Sequence, residues 1–366
     1  MSSTIVAIGD SHLGFRHRLS VERLRDFDRA FLDAIKKAKK LEPVLWLFAG
    51  DLAHHSRPNP VSMRLLVKTL REIADKAPVV VAIGNHEIEG HLGTTYSPLY
   101  ADIHENIHVL STENPIKIVE LGGEKVNVLG FQFIRNKKLA EESLRDLSKN
   151  VEKKEGSLNI LFLHQAIERY LEPHEIGLPV LREAAQKFDL ILSGHVHKHQ
   201  RIKEVFDVTP AYYIGSTERV SFNEADHQNG FMVFEDFDFS NPRFIGVDSR
   251  PMKSVTLDAE KMTPEILNKK IAEIIEENKD VKLLQINIDA LIDGNFLDVR
   301  RDWEGQYKDF TVLDVNVNPK LSEKTVQLEK PELNEDLITE YFEKMGLKEQ
   351  KELLETTLEL YRKYGG

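Results

Sequence analysis

The sequence predicts an α/β protein: a two-sheet α/β sandwich, a smaller α/β unit after it, and a C-terminal helical hairpin. Three observations carry that expectation. Short, wholly apolar runs recur through the first 220 residues, each ending abruptly in Gly, Asp, Asn or His. Segments with apolar residues at helical spacing lie between several of them. At 41% hydrophobic and 30% charged over 366 residues, the chain has the apolar content for a large core and the length for two or three domains.

The first run, Thr4–Ile8, stops at Gly9-Asp10-Ser11-His12. Val21–Lys40 follows as a helix with Leu24, Phe27, Phe31, Leu32 and Ile35 on one face, and its run Lys36–Lys40 complements the macrodipole. Val44–Ala49 stops at Gly50-Asp51, and Val61–Ala74 is the next helix, carrying Leu65, Leu66, Leu70 and Ile73. Val79–Ile83 stops at Gly84-Asn85-His86-Glu87. Lys125–Phe133 reads as a strand, and the charged stretch Asn136–Gly156 as a surface segment with a helical middle. Asn159–Leu163 stops at His164, and Leu190–Leu192 at Ser193-Gly194-His195-Val196-His197. Ala211–Ile214 and Gly230–Glu235 are further strands. Runs this short and apolar are strands buried on both faces. Ligands of such folds bind at the carboxyl ends of strands, where the polar residues cluster here.

The pattern changes around Asn241–Pro251. Lys253–Asp258, Val281–Ile288 and Phe310–Val317 are strands, and Thr263–Asn278 is a helix with Thr263 as N-cap and Pro264 at its first position. A polar linker follows, then two amphipathic helices. The first has Asn334 as N-cap, a stripe of Leu337, Ile338, Tyr341, Phe342 and Met345, and Gly346 as its stop; the second carries Leu354, Leu358 and Tyr361 on one face. The expected division is 1–245, 251–318, linker 319–333 and hairpin 334–364.

Composition excludes several chemistries. With no cysteine there is no disulfide scaffold, thiolate zinc site, iron–sulfur cluster or cysteine nucleophile. Any metal must be held by the fourteen histidines, by carboxylates or by amide and backbone oxygen. The N-terminus has no basic targeting region, and no apolar run nears the roughly 18 residues a membrane span requires, so a cytoplasmic, nucleoid-associated address is expected. The formal net charge of −11 argues against coating DNA through bulk charge, though not against a local basic groove or a metal centre.

The strand ends supply Asp10-x-His12, Gly50-Asp51-x-x-His54, Gly84-Asn85-His86-Glu87, His164 and Gly194-His195-x-His197. Asp and His are natural ligands for divalent transition metals. Asp51 can bridge two cations, and Asn85 adds an oxygen without charge. Two ions about 3.5–4 Å apart suit phosphate-ester hydrolysis. His86, beside Asn85 but aimed elsewhere, suits an imidazole facing substrate.

All five blocks, in this order, resemble the calcineurin-like metallophosphoesterase family. Glu87 stands where the pattern often has Asp, a position usually not in contact with metal. More narrowly, GDSHLG at Gly9–Gly14, the segment Gly50–Pro58 and the overall layout resemble the Mre11 nucleases, of the archaeal type and related to bacterial SbcD. That resemblance implies a manganese-dependent 3′–5′ exonuclease on double-stranded DNA and single-strand endonuclease, acting with a Rad50-type ATPase in double-strand-break repair. It implies two Mn²⁺ per subunit, with Mg²⁺ as the alternative. Asp10, His12, Asp51 and His197 would hold one ion; Asp51, Asn85, His164 and His195 the other. His86 would assist catalysis, with His54 near the scissile phosphate. His17, His55 and His199 read as ordinary surface residues.

Arg16, Arg18 and Arg57 are candidate phosphate contacts. Leu65, Leu66, Leu70 and Ile73, with Leu92–Ile103 adjoining, are the candidate homodimer face. Leu337, Ile338, Tyr341, Phe342, Met345, Leu354 and Leu358 are candidates for docking the ATPase, in a heterotetramer with two Rad50 chains. The region 251–318 would cap the site and bind DNA. Two other readings share these residues: a metal-dependent phosphatase or cyclic-nucleotide phosphodiesterase, and a DNA-end tethering scaffold with secondary catalysis.

Overall fold

A computed structural model describes residues 3–89, 94–121, 123–149, 151–320, 334–344 and 351–364. Among them, two six-stranded sheets lie face to face. The first runs, in spatial order, Arg243–Gly246, Gly230–Phe234, Ile5–Ile8, Leu45–Phe48, Val79–Val81 and Ile107–Val109. The second runs Gln200–Arg201, Ala211–Tyr213, Leu190–Gly194, Ser157–His164, Glu124–Leu129 and Ile116–Leu121. Both are parallel at the centre, with antiparallel strands only toward the edges.

Strand periodicity sorts the apolar runs into layers. Ile5 and Ala7 face the second sheet, packing with Leu45, Leu47, Ile160, Phe162 and Leu192. Val6 and Ile8, one residue out of phase, face outward onto Phe31, Ile35, Leu66 and Leu70 of the helices Val21–Lys39 and Pro60–Ala74. On the far side, the helices Lys137–Lys149 and Leu178–Ala185 cover the second sheet through Ala140, Leu144, Leu181 and Ala184. The predicted sandwich is therefore four layers deep. The helix Pro60–Ala74 starts one residue before the expected Val61: the Asn59 side chain accepts from Ser62 N–H at 2.9 Å and Pro60 takes the first position.

A third sheet, Met252–Met262, Leu283–Ile292 and Val312–Lys320, is wholly parallel and covered by the helix Pro264–Glu277. The expected linker starts later than residue 319, because Pro319 and Lys320 extend this last strand; 321–333 lie outside the described residues. The small sheet is fixed to the sandwich in two ways. Met252, Leu283 and Val312 pack on Phe222. Beside them Arg250 pairs with Asp26 at 2.6 Å and Glu22 at 2.9 Å, while Arg23, fully buried, pairs with the same Asp26 at 2.8 Å.

Two expectations are corrected. Leu66, Leu70 and Ile73 are 0%, 0% and 2% exposed, turned into their own sheet's core, and Leu65 packs against the same cluster. Leu66, Leu70 and Ile73 therefore offer no dimer face, and Leu65 is only partly exposed; Val61, at 68% exposure, and Leu99, at 62%, point outward here. In the helical hairpin Glu335–Lys344 and Lys351–Tyr364, the single apolar stripe divides. Ile338 and Phe342 are buried, Leu337 and Tyr341 are exposed, and Leu354 and Leu358 are half-buried. Met345 lies outside the described residues.

Asp26 sits at the junction of both bodies, and removing it leaves the buried Arg23 guanidinium without its nearest carboxylate. Asp26→Ala should lower stability by about 3 kcal/mol, read from the urea midpoint. An unchanged midpoint would show that Glu218, 3.7 Å from Arg23, suffices alone.

Candidate metal centre

The polar residues that end the strands of both sheets meet in one place. Asp10 and His12 follow Ile5–Ile8, Asp51 and His54 follow Leu45–Phe48, and Asn85 and His86 follow Val79–Val81. The second sheet brings His164 as the last residue of its strand, and His195 and His197 just past Leu190–Gly194. Asp10, His12, Asp51 and His164 are fully buried, whereas Asn85, His195 and His197 are half-exposed, so the cluster opens on one side.

The loops adopt unusual backbone to aim these side chains. His12, Asp51 and His195 have φ of 43°, 47° and 77°, the left-handed region that residues with a Cβ rarely occupy. Neighbouring loops brace them. His12 N–H donates to Asp51 O at 2.8 Å, His86 N–H to Asp51 Oδ1 at 2.9 Å, and His195 N–H to Asp10 Oδ1 at 3.0 Å. Gly84 is required by contact: a Cβ there would lie 2.1 Å from Asp51 Oδ1. Gly50, at φ 87°, passes so close to His164 that a Cβ would meet its Nδ1 at 2.7 Å.

Two donor sets result. Asp10, His12 and His197 present ligand atoms within 4.8 Å of one another, as do Asp51, His164 and His195. Asp51 Oδ2 lies between them, 3.8 Å from His12 Nε2 and 3.3 Å from His164 Nε2. Asn85 Oδ1 is 3.1 Å from His164 Nε2. His12 Nε2 and His197 Nε2 face each other at 3.0 Å, about the separation of two nitrogens sharing one cation at roughly 2.1 Å. Nitrogen and oxygen donors without sulfur, two carboxylates among them, fit divalent ions of the manganese, iron and zinc type.

Electrostatics agree. Burial pushes Asp10 up, and nearby Asp51 adds to the push. Burial also opposes a charged His164, but Asp51 and Asp10 outweigh it and hold its pKa at about 10. His197 is likewise held at about 9, against burial, by Glu224 and Asp10. His12 is kept neutral by burial, and His195 is lowered to about 3 by burial and by His164. Metal-free, the cluster balances its carboxylates with protons on two histidines.

His54 and His86 stand at the margin. His86 Nδ1–H donates to His54 O at 2.8 Å, and the two rings stack at 4.5 Å. His54 Nδ1 lies 3.1 Å from His12 Nδ1, so its immediate neighbour is another imidazole. His12, His54 and His86 also present three ligand atoms within 4.8 Å. Phe15 sets its ring edge against His54, and Phe133 lies tilted against His195.

Other candidates fall differently. Arg18 turns away to ion-pair with Glu304 and Asp314 of the small unit. Arg57 is exposed and pairs with Glu89 at 2.5 Å; Arg16 is exposed. His17 and His199 are not plain surface residues. His17 lies 3.8 Å from Asp314, and His199 stacks on Phe244 at 4.1 Å.

Two carboxylates went unassigned in the sequence. Glu87, fully buried, accepts from Leu52 N–H and Gly84 N–H, both at 2.9 Å, clipping the two loops together. The Glu87 motif position was visible, but its contacts were not. Glu224 lies 3.0 Å from His197 Nδ1, and no spacing rule pointed to it.

Residues 3–199 match the family model of the calcineurin-like phosphoesterases. The chain is 30% identical to the DNA double-strand break repair protein Mre11 of Methanocaldococcus jannaschii, over 72% of this chain and 72% of that protein. It is 26% identical to the protein of the same name in Archaeoglobus fulgidus, over 93% of this chain and 78% of that one. Among solved structures, a purple acid phosphatase from yellow lupin aligns at a TM-score of 0.44 and 16% identity, over 67% of this chain and 52% of that one.

Cation binding must displace the protons on His164 and His197. Manganese titrations in two buffers of different ionisation enthalpy should therefore show net proton release at neutral pH, and affinity should fall as pH falls. In the metal-free protein the sign is opposite. The stability from these two raised pKa values is complete below about 6.5 and lost as pH rises through about 9 to 10. Binding with no proton release would contradict this assignment of charge.

Proposed function

The chain belongs to the calcineurin-like phosphoesterase family and, within it, to the archaeal-type Mre11 proteins, and from that premise we propose that it is a metal-dependent DNA nuclease of double-strand-break repair. One observation carries the reading: two N/O donor sets in contact, joined by Asp51, at the seam between two sheets. Asp10, His12, Asp51 and His197 would hold one divalent cation; Asp51, Asn85, His164 and His195 the second. Two bound cations supply Lewis-acid stabilisation of the phosphate and activation of water. Manganese is the proposed ion, two per subunit, with magnesium as substitute.

The protein's own groups do the rest. His86, its Nδ1 proton committed to the His54 carbonyl, has a fixed ring and one nitrogen left to hold or deliver a proton at the leaving oxygen. His54 stands against His12 and keeps that ring in place. Phe15 and Phe133 pack against the His54 and His195 rings at 4.5 Å and 5.3 Å and restrict how they can turn. With the net charge at −11, DNA is held by local contacts rather than by overall charge. Arg16 and Arg57 are the proposed phosphate contacts, and the unit 251–318 the proposed cap that borders the duplex. The proposed reactions are 3′–5′ exonuclease action on double-stranded ends and endonuclease action on single strands. A Rad50-type ATPase is the proposed partner, met by the exposed Leu337 and Tyr341 with Leu354 and Leu358, in a heterotetramer built on a dimer of this chain.

Purified protein with manganese should degrade linear DNA. His86→Leu should slow cleavage by at least about 100-fold and leave DNA binding within twofold, measured by gel assay and by anisotropy. Intact DNA together with rapid hydrolysis of small phosphomonoesters would make the protein a phosphatase instead. If the variant protects cells from DNA breaks as well as the parent does, tethering rather than cleavage is the activity that matters.

A further inference from the structure

His197 differs from the other imidazoles of the site in what lies behind it. His164 Nδ1–H donates to a backbone carbonyl, that of Ala49, at 2.6 Å. His197 Nδ1 instead faces a carboxylate, Glu224 Oε1, at 3.0 Å. Glu224 is itself buried and held on both oxygens: Oε2 accepts from Val220 N–H at 2.9 Å, and Oε1 from the Ser221 hydroxyl at 3.2 Å. A carboxylate behind a ligating imidazole fixes which nitrogen carries the proton, sets the ring plane and makes the other nitrogen a better donor. Here that other nitrogen, Nε2, lies 3.0 Å from His12 Nε2 and 3.8 Å from Asp10 Oδ1.

The element that carries Glu224 is also the seat of the small sheet. It is a single short turn, Phe222–Glu224. Phe222 is buried against Met252, Leu283 and Val312, the residues with which the three strands of the small sheet begin. Arg219 ties the same turn to the entering chain. Its guanidinium donates to the backbone oxygens of Glu224 and Ala225, both at 3.2 Å, and to Ser249 Oγ at 2.9 Å. The two ends of one three-residue turn thus touch a metal-site imidazole and the hydrophobic foot of another unit.

We infer that Glu224 is a positioning residue for His197, and that the small sheet, through Phe222, helps to hold it in place. The inference rests on the dimetal reading of the site. The unit beyond residue 250 then does more than border the substrate: the seating of its foot sets how well one of the two cations is held. Glu224 touches no substrate and acts only through His197.

The test is calorimetric titration of the full-length protein with MnCl₂, with thermal melts of the metal-free forms as the check on folding. Wild type should take up two ions. Glu224→Ala should bind one of them about 10–100-fold more weakly, with the other near the wild-type value. Its kcat should recover when manganese is raised, with KM for DNA unchanged. Glu224→Gln keeps an acceptor oxygen and should restore most of the affinity. Phe222→Ala should weaken the same ion, by less. If wild type itself takes up no manganese, the dimetal reading fails and the positioning role falls with it; loss of one ion's affinity in the variants alone is the separate outcome that tests Glu224. If wild type and Glu224→Ala bind two ions equally tightly, the positioning role is overturned. Unchanged affinity in Phe222→Ala overturns the part assigned to the small sheet.

Discussion

Two carboxylates and four imidazoles crowd one pocket that is buried on all but one side, and the rest of the molecule is arranged around making that tolerable. In a low-dielectric interior, Asp10 and Asp51 side by side are unfavourable unless positive charge lies between them. His164 stands in that position, 3.3 Å from one carboxylate and 3.9 Å from the other. The groups can be packed so tightly only because neither sheet provides them alone. The first sheet delivers the carboxylates, the second most of the imidazoles, and the inter-sheet core from Ile5 to Phe162 keeps the two edges level.

The same constraint explains the loops. A ligand at a strand end must turn back over its own strand, and Gly50 and Gly84 permit this where a side chain would strike His164 or Asp51. Backbone N–H groups of His86 and His195 point at the carboxylates, so each loop satisfies its neighbour. Glu87 clips two loops from below and Glu224 braces an imidazole from the side. Support thus reaches well beyond the residues that would touch an ion.

Much of this was legible in the sequence, for a physical reason. Strands buried on both faces are continuous apolar runs, and their ends carry the functional residues, so a single pattern marked both fold and site. Elements outside that pattern were hidden. Ile107–Val109 has a histidine at its centre. Ile116–Leu121 alternates, as an edge strand does, and Arg243–Gly246 falls in the stretch where the pattern changes, yet it pairs with Gly230–Val233. Leu178–Ala185 is too short to show helical period. The proposed dimer leucines went wrong because an apolar stripe shows that a helix packs, not upon what. Glu224 was illegible because its partner is 27 residues away and is brought close only by the path of the chain.

The left-handed backbone at His12, Asp51 and His195 has a consequence for selection rather than for chemistry. Each such residue costs about 1–2 kcal/mol relative to an unstrained position, and glycine at any of the three would relieve it. A chain selected for stability alone would therefore drift away from its own ligands. Keeping them sets a trade-off between robustness and activity. Because bound cations favour only the folded state, supply of the ion offsets part of that deficit, and starvation for it exposes the deficit.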